Sequence, residues 1–281
     1  MNPVAFQIGS LTIYWYGILI VISVLVGAYV AMLQARRYGQ EPERVWDALL
    51  ICLILGVIGA RLYHVFSTPQ GNAVGWPYYR EDPAAILRIW EGGLGLLGAI
   101  LGGALGLAIY AKLAKIPTLV WLDIAAPALL LAQTVGRWGN YINQELYGPP
   151  TTLPWGIPIA ADYRIAPFND LAQYPPETLF QPVFLYESLW CMIGFVLLWW
   201  AIGRFKSVLR AGDAFLLYVI WYAVGRFGIE ALRPDAWMFG PIAAAQVFCA
   251  IAFVGALAAF IIRRRLGRAP SAEAGVESEA A

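Results

Sequence analysis

Arginine, glutamate and tyrosine occur inside stretches of this chain that are otherwise apolar. Arg61, Arg137 and Arg226 fall within such stretches, with Glu187, Glu230, Tyr16 and Tyr222, and Arg233 follows closely. An ionisable group at the centre of a bilayer costs at least about 2.5–3.5 kcal/mol on insertion scales, so these residues are functional candidates. On a helix turning ~100° per residue, Tyr222, Arg226, Glu230 and Arg233 lie near 0°, 40°, 80° and 20°, and so share one face. Arg226 and Glu230 stand four residues apart and could simply neutralise each other. The wider count argues for more. Arg61, Arg137, Arg226 and Arg233 outnumber Glu187, Glu230 and nearby Glu145 by one. An anion would balance that surplus, and guanidinium matches phosphate oxygens bidentately.

The elements that must hold these groups are membrane helices. The 281 residues are 60% hydrophobic and 13% charged, against about 25% charged in a soluble domain, and the mean hydropathy is +0.64. Twelve Trp and 15 Tyr suit a chain crossing two interfaces. A net charge of +1 argues against nucleic acid as a partner. Seven segments reach the length needed to span hydrocarbon: about 11–33, 45–66, 94–114, 118–138, 183–203, 212–232 and 241–262. The expected fold is therefore all-α, a polytopic integral membrane protein forming a single domain over 1–268, with a disordered tail at 269–281. Pro127 should kink the fourth span. Gly98, Gly102 and Gly106 make a small-residue stripe for close helix packing. No basic start or cleavage site marks a signal peptide, so the first span is expected to be retained. Cys52, Cys191 and Cys249 all lie in apolar runs and read as fillers.

Lysine and arginine set the expected orientation. Twelve fall in the loops and terminus of one side (Arg36, Arg37 and Arg44; Lys112 and Lys115; Arg204, Lys206 and Arg210; Arg263, Arg264, Arg265 and Arg268). Four, Arg80, Arg88, Arg164 and Arg233, fall on the other. The N-terminus should face outside and the C-terminus the cytoplasm, with external loops at 67–93 and 139–182. The polar groups then gather in the outer half of the membrane, where the available phosphate is a lipid headgroup. No internal repeat is apparent, which weakens a non-enzymatic lipid or anion transporter. A purely structural subunit would leave the arginines unexplained.

Residues 136–148 read Gly-Arg-Trp-Gly-Asn-Tyr-Ile-Asn-Gln-Glu-Leu-Tyr-Gly. This run resembles the signature G-R-x-G-N-[FY]-x-N-x-E-x-x-G of prolipoprotein diacylglyceryl transferases. The resemblance extends through Trp15-Tyr16-Gly17, Gly59-Ala60-Arg61, Trp90-Glu91-Gly92-Gly93, Leu185-Tyr186-Glu187, and Tyr222 with Arg226, Glu230 and Arg233-Pro234-Asp235. Two positions depart from it. Leu97 stands where family members often carry a histidine considered as a base, and Gln181 replaces the histidine of H-P-x-x-L-Y-E. The only histidine, His64, reads as an interfacial residue.

The resemblance implies transfer of the sn-1,2-diacylglyceryl group of phosphatidylglycerol to the lipobox cysteine of a prolipoprotein signal peptide, forming a thioether and releasing glycerol 1-phosphate. It also implies a bacterial plasma membrane with the site toward the outer leaflet. Attack at the glyceryl carbon puts negative charge on the leaving oxygen, and preorganised cations stabilise such charge. Arg137 and Arg226 are expected to grip the phosphate, with Arg233 and Glu230 beside them. Asn140, Asn143, Glu145 and Gly148 are expected to hold the headgroup. Tyr16 and Tyr222 could orient the phosphate or help deprotonate the thiol. No carboxylate cluster accompanies the arginines, so no metal or other cofactor is expected; nor is a second subunit. The base itself is not identified by the sequence.

Overall fold

The computed structural model describes residues 2–9, 11–67 and 75–266. Arg268 and the tail expected at 269–281 lie outside the described residues. Eight helices are described: α1 Trp15–Arg37, α2 Arg44–Phe66, α3 Trp76–Glu81, α4 Leu96–Leu113, α5 Thr118–Ile142, α6 Val183–Arg204, α7 Asp213–Glu230 and α8 Ala244–Leu266. All but α3 and α7 are long and apolar enough to cross a membrane, and they expose large side chains such as Leu101, Leu197, Ile251 and Val254. Such a surface is suited to lipid, and the chain is a mostly helical multi-pass membrane protein. The 18-residue α7 carries Asp213, Arg226 and Glu230, which separates it from the six plainly apolar helices.

Helix ends differ from expectation by a few residues, and two of these differences bear on the site. The apolar run starting at residue 11 is not all helix. Leu11–Tyr14 forms strand β2, paired antiparallel with β1, Val4–Ile8, and Gly9 takes φ +60° where the chain turns. Apolarity alone does not separate a strand from a helix. At the other end, α5 continues to Ile142, so the first half of the 136–148 signature is helical. Pro127 sits inside α5 as expected.

The chain divides into two compact units, Val24–Ala132 and Met1–Ser23 with Gln133–Ala281. In the first, α2 and α4 pack backbone to backbone. A Cβ on Gly98 would lie 2.1 Å from the Gly59 carbonyl oxygen, and one on Gly102 2.1 Å from that of Leu55. The expected glycine stripe is thus the contact that lets two helix axes close up. Arg61, buried on α2, donates to the carbonyls of Ala85, Ile86, Gly92 and Gly93. It lies 5.2 Å from the Tyr79 ring centroid, and Tyr79 packs with Val65 and Ala85. One guanidinium therefore ties the connection before α4 to α2. His64 meets Tyr79 edge-on at 6.0 Å.

In the second unit, the long connection after α5 is folded. Strands β3 (Ile157–Pro158) and β4 (Leu179–Phe180) pair, and Tyr147, Ile159, Phe168 and Phe180 form a buried core. Buried Arg164 donates to the carbonyls of Ile159, Tyr174, Pro175 and Pro176 and sits 5.0 Å over the Phe180 ring. A proline-rich segment cannot pair its backbone regularly, and the guanidinium supplies the missing donors. Strands β5 (Met238–Phe239) and β6 (Ile242–Ala243) form a small hairpin before α8.

Helices α6 and α7 are joined by a reciprocal pair. The Trp190 indole donates to the Trp221 carbonyl and the Trp221 indole to that of Trp190, each at 3.0 Å. The rings stack at 4.3 Å. Each lies against a glycine of the opposite helix: a Cβ on Gly225 would fall 2.1 Å from Trp190 Nε1, and one on Gly194 2.3 Å from Trp221 Nε1. At the far end of α7, fully buried Asp213 accepts from the Arg210 amide and from Arg264 at 2.7 Å. This fastens α8 to the start of α7.

Candidate active site

The second unit gathers its polar groups where α5, α6 and α7 come together. The sequence places Arg137 one turn before the end of α5, Glu187 in the second turn of α6, and Arg226 and Glu230 in the last turns of α7. Glu187 is 3% exposed and bridges two helices. Its Oε1 lies 2.6 Å from Arg137 Nη2, and its Oε2 lies 3.1 Å from Arg226 Nη1. Arg226 also pairs with Glu230. Glu230, 4% exposed, meets Arg233 Nη1 at 3.4 Å. Arg233 reaches Asp235 through Nε at 3.1 Å and Nη2 at 2.7 Å. Buried ions of this kind persist only when paired and hydrogen-bonded.

From Arg137 the network runs outward along the signature. Arg137 Nη1 donates to Asn140 Oδ1 at 3.4 Å, and Asn140 Nδ2 donates to Glu145 Oε1 at 2.8 Å. Asn143 Nδ2 donates to the same Glu145 oxygen at 3.4 Å. Tyr16, at the start of α1, lies in electrostatic range of Glu145 and Arg137. Its ring covers Gly139, where a Cβ would sit 2.6 Å from Tyr16 Cδ2. Glycine is needed there for the ring to lie flat on α5. Tyr222 lies in range of Glu187, Arg137 and Arg226 and stacks on Tyr218 at 6.1 Å. Gln133 donates to the Tyr218 hydroxyl at 3.0 Å.

A cavity of about 530 Å³, lined by both polar and apolar groups, adjoins this network. Glu145, Asn143, Asp235, Tyr14, Tyr147 and Tyr163 contribute to its lining. Gln144 and Leu146 flank Glu145 with φ of +54° and +56°. A left-handed leucine is uncommon and costs of order 1–3 kcal/mol unless its surroundings impose it. Here Gln144 Oε1 is fixed by the Ala160 amide at 2.8 Å, and the Tyr147 hydroxyl by the Ile165 amide at 2.7 Å. Burial pushes the Tyr147 phenol above its usual pKa.

Arg137, Asn140, Asn143, Glu145, Tyr16, Tyr222, Arg226, Glu230 and Arg233 thus belong to one network. Gly148 has a different place. Its amide donates to the Gln181 carbonyl at 2.9 Å, and a Cβ would meet Val183 and Gln181 at 2.9 and 3.0 Å. It closes the connection rather than presenting a donor to a ligand.

The expected surplus of positive charge is also corrected. The count included Arg61, whose donors are occupied by carbonyls of its own unit, and omitted Asp235. Arg137, Arg226 and Arg233 face Glu187, Glu230 and Asp235, with Glu145 beside them. What the network offers an anion is spare donors, since each guanidinium has five N–H groups. The sequence marks Glu187 as a candidate but assigns it no partner. Its signal was the Leu185-Tyr186-Glu187 match, but only packed helices show it joining two arginines.

The family model for prolipoprotein diacylglyceryl transferase matches residues 3–262. The chain belongs to that family. The phosphatidylglycerol–prolipoprotein diacylglyceryl transferase of Ligilactobacillus salivarius is 38% identical over 264 residues, covering 94% of both chains. That of Chloroflexus aggregans is 40% identical over 233 residues, covering 80% of this chain and 74% of the relative. That of Trichormus variabilis is 39% identical over 250 residues, 88% and 84% respectively. Membership in this transferase family places the linked arginines inside the matched region and sets the transporter reading aside.

Proposed function

We propose that this chain transfers the diacylglyceryl group of phosphatidylglycerol to the lipobox cysteine of prolipoproteins, releasing glycerol 1-phosphate, as the first step of lipoprotein maturation. The observation that carries this reading is the pair of guanidiniums, Arg137 and Arg226, converging on one buried carboxylate in a family match spanning nearly the whole chain. The phosphate enters as a further acceptor for this pair. Arg233 assists, and Asn140 and Asn143 hold the glycerol end. Charge builds on the phosphate oxygen as the C–O bond breaks. Fixed N–H dipoles on largely buried guanidiniums meet it, and such preorganised stabilisation is often what lowers a barrier most.

The same reading sets α7 as a seventh span, its ionisable residues tolerated because they face other helices rather than lipid. The N-terminus then lies outside, and the network opens to the outer leaflet of the bacterial plasma membrane. Purified protein in detergent, given phosphatidylglycerol and a lipobox peptide, should form a diacylglyceryl thioether detectable by mass spectrometry. Glycerol phosphate should appear only when the peptide carries its cysteine. Absence of both products refutes the assignment.

A further inference from the structure

We propose that Glu145 is the general base that takes the proton from the acceptor thiol. The inference rests on the transferase reading and identifies the group that reading leaves unnamed.

A base needs a lone pair not already bound to a cation, and reach to the substrate. Among the described residues, each other carboxylate of the network is tied to guanidinium. Glu187 meets Arg137 and Arg226, Glu230 meets Arg226 and Arg233, and Asp235 meets Arg233 through both oxygens. A lone pair already committed to a guanidinium N–H is not free to accept a substrate's proton. Glu145 differs. Its hydrogen bonds come from the neutral amides of Asn140 and Asn143, and both fall on Oε1. Oε2 takes no hydrogen bond from the described residues. Glu145 is exposed and lines the 530 Å³ cavity, while Asn140 links it to Arg137, so it stands between an entry space and the phosphate-binding donors. The left-handed residues on either side hold it there.

The alternatives serve less well. Tyr16 and Tyr222 are phenols with an ordinary pKa near 10, so they donate protons at neutral pH rather than accept them. His64 belongs to the other unit, wedged against Tyr79 and Gly93. The titratable and charged groups facing Glu145 are Tyr16 and Arg137 in electrostatic range of the loop, and Tyr14, Tyr147, Tyr163 and Asp235 around the cavity.

In the step itself, the thiol proton moves to Glu145 Oε2. The sulfur electron pair forms the S–C bond to the glyceryl carbon. The C–O bond breaks, and its pair stays on the phosphate oxygen beside the guanidiniums. The carboxyl then returns its proton to the released phosphate.

The test compares wild type and Glu145→Gln with lipobox peptides carrying cysteine or selenocysteine between pH 6.5 and 9. The selenol is the stronger acid and needs no base. With cysteine, E145Q should lose about 10²–10⁴-fold in kcat at pH 7. Its rate should climb ~10-fold per pH unit toward the thiol pKa of about 8.5. With selenocysteine most of the loss should vanish. The ratio of the two peptide rates is taken within one preparation, so partial misfolding cancels. An equal deficit with both nucleophiles at every pH, or a raised KM for phosphatidylglycerol with kcat intact, overturns the assignment. Failure of wild type to make product with either peptide defeats the transferase reading instead.

Discussion

Arg137 joins the ion pairs to the signature amides: it meets Glu187 through one nitrogen and Asn140 through another. Its two-nitrogen geometry is what a lysine cannot reproduce. R137Q should therefore lower kcat/KM by about 10²–10³-fold, with R137K recovering only a small part. Steady-state assays in detergent, with helical content checked by circular dichroism, measure this; near-wild-type turnover in R137Q removes Arg137 from the mechanism. Much of this residue-level picture was legible in the chain. The 136–148 run named Arg137, Asn140, Asn143 and Glu145 together because they are close in sequence. The partner of Arg137 was not legible, because Glu187 is fifty positions away and only helix packing joins them. Charge counting failed for the same reason: a count by helix cannot tell a guanidinium caged by carbonyls, as Arg61 is, from one facing carboxylates.

At the scale of elements, apolar length located six long helices, and the structure departs from expectation where a different physics takes over. Leu11–Tyr14 is as apolar as the helix it precedes, yet pairs with Val4–Ile8. The connection after α5, expected only as an external loop, is organised by one buried arginine and four aromatic or aliphatic side chains. Glycines were the most informative single letters. Gly98 and Gly102 announced a contact and make one; Gly194 and Gly225 drew no notice because their tryptophan partners lie on another helix. Gly225→Ala would press a methyl group onto Trp190. We expect a loss of about 1–3 kcal/mol, typical of overpacking, read as a lower midpoint of thermal unfolding in detergent. An unchanged midpoint would mean that the indole shifts freely.

For the whole molecule, multi-pass membrane character follows from composition and is borne out by six long apolar helices. Orientation is argued from the distribution of Lys and Arg and is read directly by chemical accessibility. In a variant lacking Cys52, Cys191 and Cys249, a cysteine at Glu177 should react in intact cells with a maleimide that cannot cross membranes. One at Ser207 should react only after permeabilisation. The reverse pattern would put the arginine network on the cytoplasmic side.

The two indoles crossed between α6 and α7 have an optical meaning as well as a mechanical one. Identical chromophores stacked 4.3 Å apart and inclined by 15° share their excited states, so the protein carries its own ruler in the ultraviolet. Because Glu187 and Arg226 ride on the same two helices, that signal should hold steady while lipid enters if the pair moves as one piece, and split or fade if the helices slide.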